Sequence, residues 1–238
     1  QQLAQKHIAA GAGQVLLSYP GESDISAIVY GVNQNATSLH QSVLSAASCT
    51  SNALIPVVSE LNNAFGIDSG VITTVHASMH DQPVIDAYHS DDLRKNRAAS
   101  QSVIPVATEL AMGVGRIIPA LENKFIAHAL RVPVNNVSAL NVTLNLQSTV
   151  SADSINGILE QASQQHLKGI LGFSMEKLAS CDYVGDARSS IVDGPQTEVI
   201  GQRTVNLLIW FDNEWAFANR MLDIALLMPG LARRSNAS

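Results

Sequence analysis

The spacing of apolar residues along the chain predicts a succession of helices. The clearest one runs from Thr50 to Phe65, where apolar side chains recur every three or four residues and the pattern stops before Gly66. This period lines the apolar side chains along one face, which would pack against a core. The helical segments predicted in this way are 3–10, 50–65, a helix from the cap Thr108 to about Val114, a helix beginning at the cap Asp153, and 213–228, which is nearly all apolar and is expected to be buried.

Other segments alternate between apolar and polar residues, as strands do when one of their faces is buried. The segments predicted to be strands are 15–18, 27–30, 71–77, 126–132, 137–147 and 205–211. Helices mixed with alternating strands are typical of the α+β class, with an antiparallel or mixed sheet covered by helices on one face. The polar segment 78–99 is long for a connection inside a compact domain, so we expect it to have a function.

Composition and charge narrow the kind of protein further. Hydrophobic residues make up 46% of the 238 residues, which is enough for a substantial core. A net charge of −6 provides no basic field for a phosphodiester backbone, so we expect no nucleic-acid partner. No apolar run reaches the roughly 18 to 20 residues of a membrane-spanning helix, and the first residues lack the pattern of an export signal. We therefore expect a soluble, cytoplasmic protein with no membrane partner and with reduced cysteines.

The residues around Cys49 point to a nucleophile. The segment Ser48-Cys49-Thr50-Ser51-Asn52 puts the thiol at the entrance of the predicted helix 50–65. Unpaired N–H groups and the helix dipole lower the pKa of a thiol there and favour the thiolate. The alternative is that Cys49 is a small buried hydrophobic residue without a chemical role. Its position in the sequence leaves both interpretations open.

A reactive thiol needs a base, and His76 is the candidate. It lies near the end of the predicted strand 71–77, where catalytic side chains carried by strands commonly emerge. The alternative is a half-buried structural imidazole, and the other histidines of the chain compete for the role. The sequence contains no histidine or carboxylate spacing typical of a metal site, so we expect no metal.

Arg131 is a candidate for anion binding. It ends an apolar run and precedes Val132-Pro133, so its guanidinium would leave a strand at a rigid turn and could hold a phosphate or carboxylate through two hydrogen bonds. By contrast, we expect Arg94, Lys95 and Arg97 to form a solvated loop surface.

Four segments together resemble the glyceraldehyde-3-phosphate dehydrogenase superfamily. They occur in the order and at the spacings found there, and the resemblance extends from about residue 3 to residue 228. The segments are Ser48-Cys49-Thr50-Ser51-Asn52, Thr73-Thr74-Val75-His76-Ala77, Arg131-Val132-Pro133 and Phe211-Asp212-Asn213-Glu214-Trp215. The resemblance implies a C-terminal catalytic domain with a mixed, largely antiparallel sheet, plus the last elements of a Rossmann-type domain.

Within the superfamily, three further segments are most similar to the erythrose-4-phosphate dehydrogenase branch: 80–89, 97–102 and 191–197. This similarity implies oxidation of D-erythrose 4-phosphate to 4-phosphoerythronate with NAD and water, a step toward pyridoxal phosphate. It also implies a homotetramer. Two alternatives are a phosphorylating glyceraldehyde-3-phosphate dehydrogenase and, from another class, a catalytically silent fragment that serves as a folding or assembly unit.

The resemblance also implies roles for individual residues. Cys49 would attack the aldehyde and His76 would act as the base, whereas Asn213 would hold the nicotinamide amide. The residues implied to contact the anionic groups of the substrate are Ser48, Thr50, Thr108 and Arg131. Asn52 belongs to the cysteine motif but receives no role.

Departures from the glycolytic pattern favour water as the acyl acceptor. Met79 and Asp81 replace two threonines and are poor ligands for a phosphate, so the substrate phosphate must be held differently. Glu109 replaces a glycine beside Thr108, and its negative charge would oppose an incoming phosphate dianion.

The domain organisation expected from the resemblance has four parts. Residues 1–48 are a remnant of the dinucleotide-binding domain, 49–212 are the catalytic domain, 213–228 are a helix that packs back toward the dinucleotide domain, and 229–238 are a tail. The glycine-rich fingerprint of a dinucleotide domain, with its acidic partner, is missing from the sequence. We therefore expect the chain to be a truncated form that binds NAD poorly by itself.

Overall fold

The centre of the molecule is an eight-stranded mixed sheet. The computed structural model describes residues 2–35, 37–88 and 92–229, so the predicted tail beyond residue 229, together with His89 and Asp91, lies outside the described residues. In chain order the elements are α1 (Gln2–Ala9), β1 (Val15–Leu17), β2 (Val43–Ser45), α2 (Cys49–Phe65), β3 (Ile67–His76), β4 (Ile104–Val106), α3 (Leu110–Ile117), β5 (Phe125–Arg131), β6 (Ser138–Leu146), α4 (Ala152–Gln164), β7 (Leu171–Ser174), β8 (Ser190–Asp193), β9 (Glu198–Ile200), β10 (Thr204–Phe211) and α5 (Trp215–Leu227).

The strand order of the large sheet is β4-β5-β3-β6-β10-β8-β7, and β9 pairs with the end of β10. Only the β3–β5 and β7–β8 pairs are parallel, whereas the other pairs in this sheet are antiparallel. The predicted α+β class with a mixed, largely antiparallel sheet is confirmed. β1 and β2 form a separate parallel pair near the N-terminus.

Helices cover one face of the sheet, and the core lies between them. Along β6, Leu140, Val142 and Leu144 are fully buried, as their alternation predicts, and they belong to the main apolar cluster with residues of α2 and α4. The opposite face of the sheet is open, since Val71 and Ile126 are 45% and 61% exposed there. The site described below lies on the helix-covered side.

Helix ends differ in detail from the predicted ones. α2 begins after Ser48, whose hydroxyl oxygen accepts a hydrogen bond from the Ser51 N–H, and it ends at Gly66 as predicted. The predicted cap Asp153 is wrong, because Ser151 caps α4 and exchanges side-chain and backbone hydrogen bonds with Ser154. α3 runs three residues beyond the predicted Val114, to Ile117.

The predicted strand 27–30 is wrong, since Ala27 makes only a single bridge to Ser45. The short strands β2, β4, β7, β8 and β9 were missed because three or four residues are too few to display alternation. Cys181 is exposed and lies within a short 3-10 helix, Ser180–Tyr183.

α5 is buried against the rest of the molecule, as expected, but through one face only. Ile224 is fully buried and packs with Ile28 and Ala46 of the N-terminal segment. Leu222 and Leu226 on the other face are 64% and 70% exposed. Within the described ranges, no helix combines the length and apolar character needed to cross a bilayer.

Candidate active site

A cavity of about 940 Å³ opens where the start of α2, the end of β3, the start of α3 and the end of β5 meet. Six of the seven predicted site residues line it. These six residues are Ser48, Cys49, Thr50, His76, Thr108 and Arg131. The seventh, Asn213, is connected to the cavity wall through hydrogen bonds.

The thiol and the imidazole are paired in this cavity. Cys49 Sγ lies 3.6 Å from His76 Nε2, and His76 Nδ1 lies 2.7 Å from the carbonyl oxygen of Ala77. A carbonyl oxygen can only accept, so Nδ1 must carry the ring proton of a neutral imidazole. The lone pair of Nε2 therefore faces the thiol, which is the arrangement of a base that can accept the thiol proton.

Burial controls the protonation of both groups. It raises the pKa of the Cys49 thiol to about 11, against hydrogen bonds from the backbone of Thr50 and Cys49 and the positive charge of Arg131, which act in the opposite direction. The N–H groups at the start of the helix act to lower this pKa as expected, but desolvation outweighs them, so the thiolate is not favoured. Burial also lowers the pKa of His76. At neutral pH the pair is consequently a thiol and a neutral imidazole.

A strained turn carries Cys49 into the cavity, and Asn52 secures this turn. Ala47 has a positive φ of 58°, a left-handed conformation that costs energy for a residue other than glycine. Asn52 Nδ2 donates to the carbonyl oxygens of Ala46 at 2.8 Å and Ser48 at 2.9 Å, one on each side of Ala47. Asn52, which sequence reasoning left without a role, thus holds the backbone leading to the thiol.

Hydroxyl groups form the wall beside Cys49. The Ser48 hydroxyl lies 2.9 Å from the hydroxyls of both Thr50 and Ser51, and it caps α2 as described above. Across the cavity, Thr108 Oγ1 accepts a hydrogen bond from the Leu110 N–H at 3.2 Å. Glu109, which follows Thr108, lines the cavity at its exposed rim.

Arg131 forms the cationic end of the cavity, and Asp81 holds it. The Asp81 carboxylate accepts a hydrogen bond from Arg131 Nη1 and lies 3.5 Å from Lys95 Nζ. Burial acts to raise the pKa of Asp81, but its hydrogen bond to Arg131 and the charges of Arg131 and Lys95 outweigh it and hold that pKa below its usual value. Lys95 was expected to be solvated; it is ion-paired instead. Of these three residues Arg131 lines the cavity, and together the two cations and one anion carry a net positive charge.

Asn213 lies outside the cavity lining and is connected through Ser138 to Ala77, the residue that follows β3. Its Oδ1 accepts a hydrogen bond from the Ser138 hydroxyl at 2.8 Å, and the same hydroxyl oxygen accepts from the Ala77 N–H at 3.0 Å. The preceding residue, Asp212, is 1% exposed and anchors the start of α5 by accepting from the N–H groups of Glu214 and Trp215. Sequence reasoning missed Ser138 and Asp212, because neither has a local pattern that marks its function.

Two buried polar atoms near the cavity have no hydrogen-bond partner among the residues described. They are Thr74 Oγ1, on the wall two residues before His76, and Asn52 Oδ1.

The described part of the chain contains no group of three or more His, Cys, Asp or Glu side chains arranged to hold a metal ion.

The site residues lie in a segment of the chain that matches a known protein family. Residues 48–213, which include the Cys49–His76 pair, Arg131 and Asn213, match the family model described as the C-terminal domain of glyceraldehyde 3-phosphate dehydrogenase. This match covers well over half of the chain and supports an oxidoreductase with dehydrogenase activity. The chain therefore belongs to the glyceraldehyde 3-phosphate dehydrogenase family, of which it contains the C-terminal domain.

Proposed function

We propose that the protein acts in an NAD-linked oxidation of D-erythrose 4-phosphate to 4-phosphoerythronate, through a thioester on Cys49 that water hydrolyses. The observation that carries this proposal is the Cys49–His76 pair, 3.6 Å apart, in the same cavity as the Arg131 guanidinium. A nucleophile, a base and an anion-binding group are the parts needed to oxidise an aldehyde that also bears a phosphate.

The chemistry follows from the protonation states of the pair. The sulfur of Cys49 bonds to the aldehyde carbon while its proton passes through His76 Nε2 to the carbonyl oxygen, which gives a hemithioacetal. A nicotinamide held by Asn213 would supply the hydride acceptor for that carbon. His76 takes the hydroxyl proton as the thioester forms and releases it to solvent, which returns the imidazole to its neutral state. Water then adds to the thioester, His76 accepts a proton from this water, and the thiol of Cys49 is restored as the acid leaves.

The residues near Asn213 fit a nicotinamide. Asn213 Oδ1 is occupied by Ser138, and among the described residues the Nδ2 amide group donates to no protein acceptor. A free amide donor two residues beyond the buried end of β10 suits the carboxamide oxygen of the cofactor. This arrangement supports the role implied by the resemblance.

The choice of acyl acceptor rests on Glu109. Its carboxylate lies at the cavity rim beside Thr108, and because it is exposed its repulsion of a phosphate dianion is reduced by solvent but not abolished. Water carries no charge and is present at far higher concentration. We therefore favour hydrolysis over phosphorolysis of the thioester.

The substrate assignment rests on the sequence segments 80–89, 97–102 and 191–197 and on the cation pair at Asp81. Arg131 and Lys95 can bind a substrate phosphate once it takes over contacts now made by Asp81. We infer that these two cations take over the role of the two threonines that glycolytic members of the family have in place of Met79 and Asp81.

We also propose that the active protein is a cytoplasmic homo-oligomer. Among the described residues of the segment 84–93, four large apolar side chains are exposed to solvent: Val84, Ile85, Tyr88 and Leu93, which are 83%, 74%, 85% and 79% exposed. Exposed apolar clusters of this kind mark protein interfaces. Sedimentation of the full-length protein tests this proposal: a monomer at micromolar concentration would contradict it.

The function is tested by NADH formation in the full-length protein. We expect turnover of D-erythrose 4-phosphate to exceed that of glyceraldehyde 3-phosphate and to be nearly independent of added inorganic phosphate. A rate that rises about tenfold with millimolar phosphate would assign the protein to the phosphorylating dehydrogenases. Failure to reduce NAD with either sugar phosphate would favour the silent assembly unit instead.

A further inference from the structure

Ser138 joins the candidate base to the candidate cofactor contact through a single hydroxyl. It is the first residue of β6, is 1% exposed and lies between the end of β3 and the segment that follows β10. Its Oγ accepts from the Ala77 N–H at 3.0 Å and donates to Asn213 Oδ1 at 2.8 Å. The carbonyl oxygen of the same residue, Ala77, accepts from His76 Nδ1 at 2.7 Å. Three strands thus bring His76, Ala77, Ser138 and Asn213 into one hydrogen-bonded series.

Counting protons fixes the direction of each bond. A backbone N–H can only donate, so Ala77 uses a lone pair of the Ser138 oxygen. The single hydroxyl proton then points at Asn213 and requires an acceptor, which is Oδ1. If the Asn213 amide were turned over, this buried hydroxyl proton would have no acceptor among the described residues, which is unfavourable. Asn213 therefore presents its Nδ2 donor on the side away from Ser138.

We propose that Ser138 is a positioning residue: it selects the donor side of the Asn213 amide that meets the cofactor carboxamide, and it anchors the N–H of Ala77, the residue whose carbonyl oxygen keeps the His76 proton on Nδ1. This inference rests on the proposed function, because it takes Asn213 to be a cofactor contact. One buried hydroxyl thereby orients the side chain that would contact the cofactor and supports the residue that contacts the catalytic base.

Asp212 supports this arrangement from the other side. Its carboxylate accepts from the N–H of Gly185 and from Asn136 Nδ2, in addition to the two N–H groups at the start of α5. The backbone before Asn213 is therefore fixed independently of Ser138. Removing the Ser138 hydroxyl should release the Asn213 side chain without releasing its backbone.

The chain offers a matched control for Ser138. Ser190 in β8 is also fully buried, but its hydroxyl has no partner among the described residues. Ser190→Ala removes the same atoms from the same sheet and interrupts no hydrogen bond. A general effect of losing a buried hydroxyl should appear equally in both variants.

The experiment compares two ligands in the full-length protein. The affinity for NADH is measured by its fluorescence, and the affinity for ADP-ribose, which lacks the nicotinamide, is measured by competition. We expect Ser138→Ala to weaken NADH binding about tenfold while ADP-ribose binding and both affinities of Ser190→Ala stay unchanged.

Unchanged NADH binding in Ser138→Ala, or an equal loss for both ligands, would overturn the proposal. A wild-type protein that binds ADP-ribose but gains nothing from the nicotinamide would reject the assigned cofactor role of Asn213, and one that binds neither would reject the NAD-linked function itself.

A second readout needs no cofactor. In Ser138→Ala the N–H of Ala77 loses its acceptor, while the next peptide group stays held by the hydrogen bond from the Ser78 N–H to the Val134 carbonyl oxygen. Ala77, whose carbonyl oxygen accepts from His76 Nδ1, is then fixed on one side only, so the His76 proton is less firmly held. We expect alkylation of Cys49 by iodoacetamide to slow several-fold near pH 7 and to approach the wild-type rate at strongly alkaline pH, where the thiol needs no base. Identical profiles in the two proteins would exclude the link to His76.

Asn213→Asp keeps the proposal testable if Ser138→Ala does not fold. Aspartate still accepts from Ser138 but offers an oxygen in place of the amide donor. NADH carries a neutral nicotinamide ring, so the added charge brings no attraction to the ring. We expect NADH binding to weaken at least as much as in Ser138→Ala, with ADP-ribose binding retained. Wild-type affinity for NADH in this variant would show that the donor side of Asn213 does not meet the cofactor.

Discussion

The two ends of the cavity are built on different principles. At the reactive end, Cys49 and His76 are uncharged near neutral pH and are held by buried hydrogen bonds from helix and strand termini. At the anion end, Arg131, Asp81 and Lys95 are charged, and two of the three belong to the long connection between β3 and β4. The paired thiol and imidazole are thus positioned by regular elements packed on the core, whereas the charges at the anion end depend in part on a long connecting segment.

The largest expected effect comes from removing the nucleophile. We predict that Cys49→Ser lowers the turnover of the full-length enzyme by about 10³-fold or more, because a serine hydroxyl is a far weaker nucleophile at neutral pH. Steady-state NADH formation measures the change. Cys181→Ser is the matched control, since Cys181 is exposed and lies in a surface turn. Comparable losses in the two variants would assign no special role to Cys49.

Removing the base should have the next largest effect. We expect His76→Asn to lower the rate of hydride formation by about 10²- to 10⁴-fold while changing substrate affinity little, because the imidazole acts on the proton in the transition state. Pre-steady-state absorbance at the NADH band measures this rate. Substrate affinity lost in the same proportion would contradict the role of a base.

The pH dependence of the wild-type enzyme sharpens the same point. Burial lowers the pKa of His76 below its usual value near 6.5, so the imidazole stays neutral, and able to act as a base, down to pH values below that point. The acid limb of the rate profile should therefore lie below pH 6.5. Because burial raises the pKa of Cys49 to about 11, alkylation in the absence of cofactor should keep accelerating with pH beyond pH 9. A plateau in alkylation below pH 8 would mean that the thiolate already forms at neutral pH.

The parts of the site that local patterns could predict are those at the ends of regular elements. Cys49 starts a helix and His76 ends a strand, and both positions follow from apolar periodicity together with the turn residues around them. The protonation of Cys49 did not follow, because it depends on desolvation by residues distant in sequence. The hydrogen bonds of Ser138 could not be predicted either, because its partners are distant in sequence: Ala77 is 61 residues away and Asn213 is 75 residues away.

The fold shows a similar division. The long strand β6 has enough residues to display alternation, and its buried face was predicted residue by residue. Three-residue strands such as β2 and β4 depend on pairing with distant partners, which no local pattern reveals. For α5, the nearly all-apolar composition predicted that the helix packs against something, but it could not show that only one face does so.

The turn that carries the nucleophile gives a smaller, structural test. We expect Asn52→Ala to lower the free energy of unfolding by about 1–3 kcal/mol, since it leaves the Ala46 carbonyl oxygen without its donor and frees the strained Ala47. The Ser48 carbonyl oxygen loses one of its two donors and keeps the backbone N–H of residue 52. Denaturant titration measures the loss. Asn63→Ala, an exposed position on the same helix, is the control and should stay within about 0.5 kcal/mol of wild type. Equal stability of the two variants would show that Asn52 does not hold the turn.

The smallest expected effect concerns the anion end, where one carboxylate competes with the substrate. Asp81→Asn removes a negative charge from beside Arg131 and Lys95 and so raises the net positive charge that a phosphate meets. Because Asp81 and Lys95 are about one-third and one-quarter exposed, at 34% and 27%, solvent screens this change, and we expect inorganic phosphate to bind only about three- to tenfold more tightly.

Phosphate protection of Cys49 against alkylation measures the affinity, and the gain should shrink as salt is added. Asp86→Asn is the control, since it removes the same charge from an exposed pair with Arg97 on the same segment. Weaker phosphate binding in Asp81→Asn would mean that Asp81 orients Arg131 for the substrate rather than competing with it.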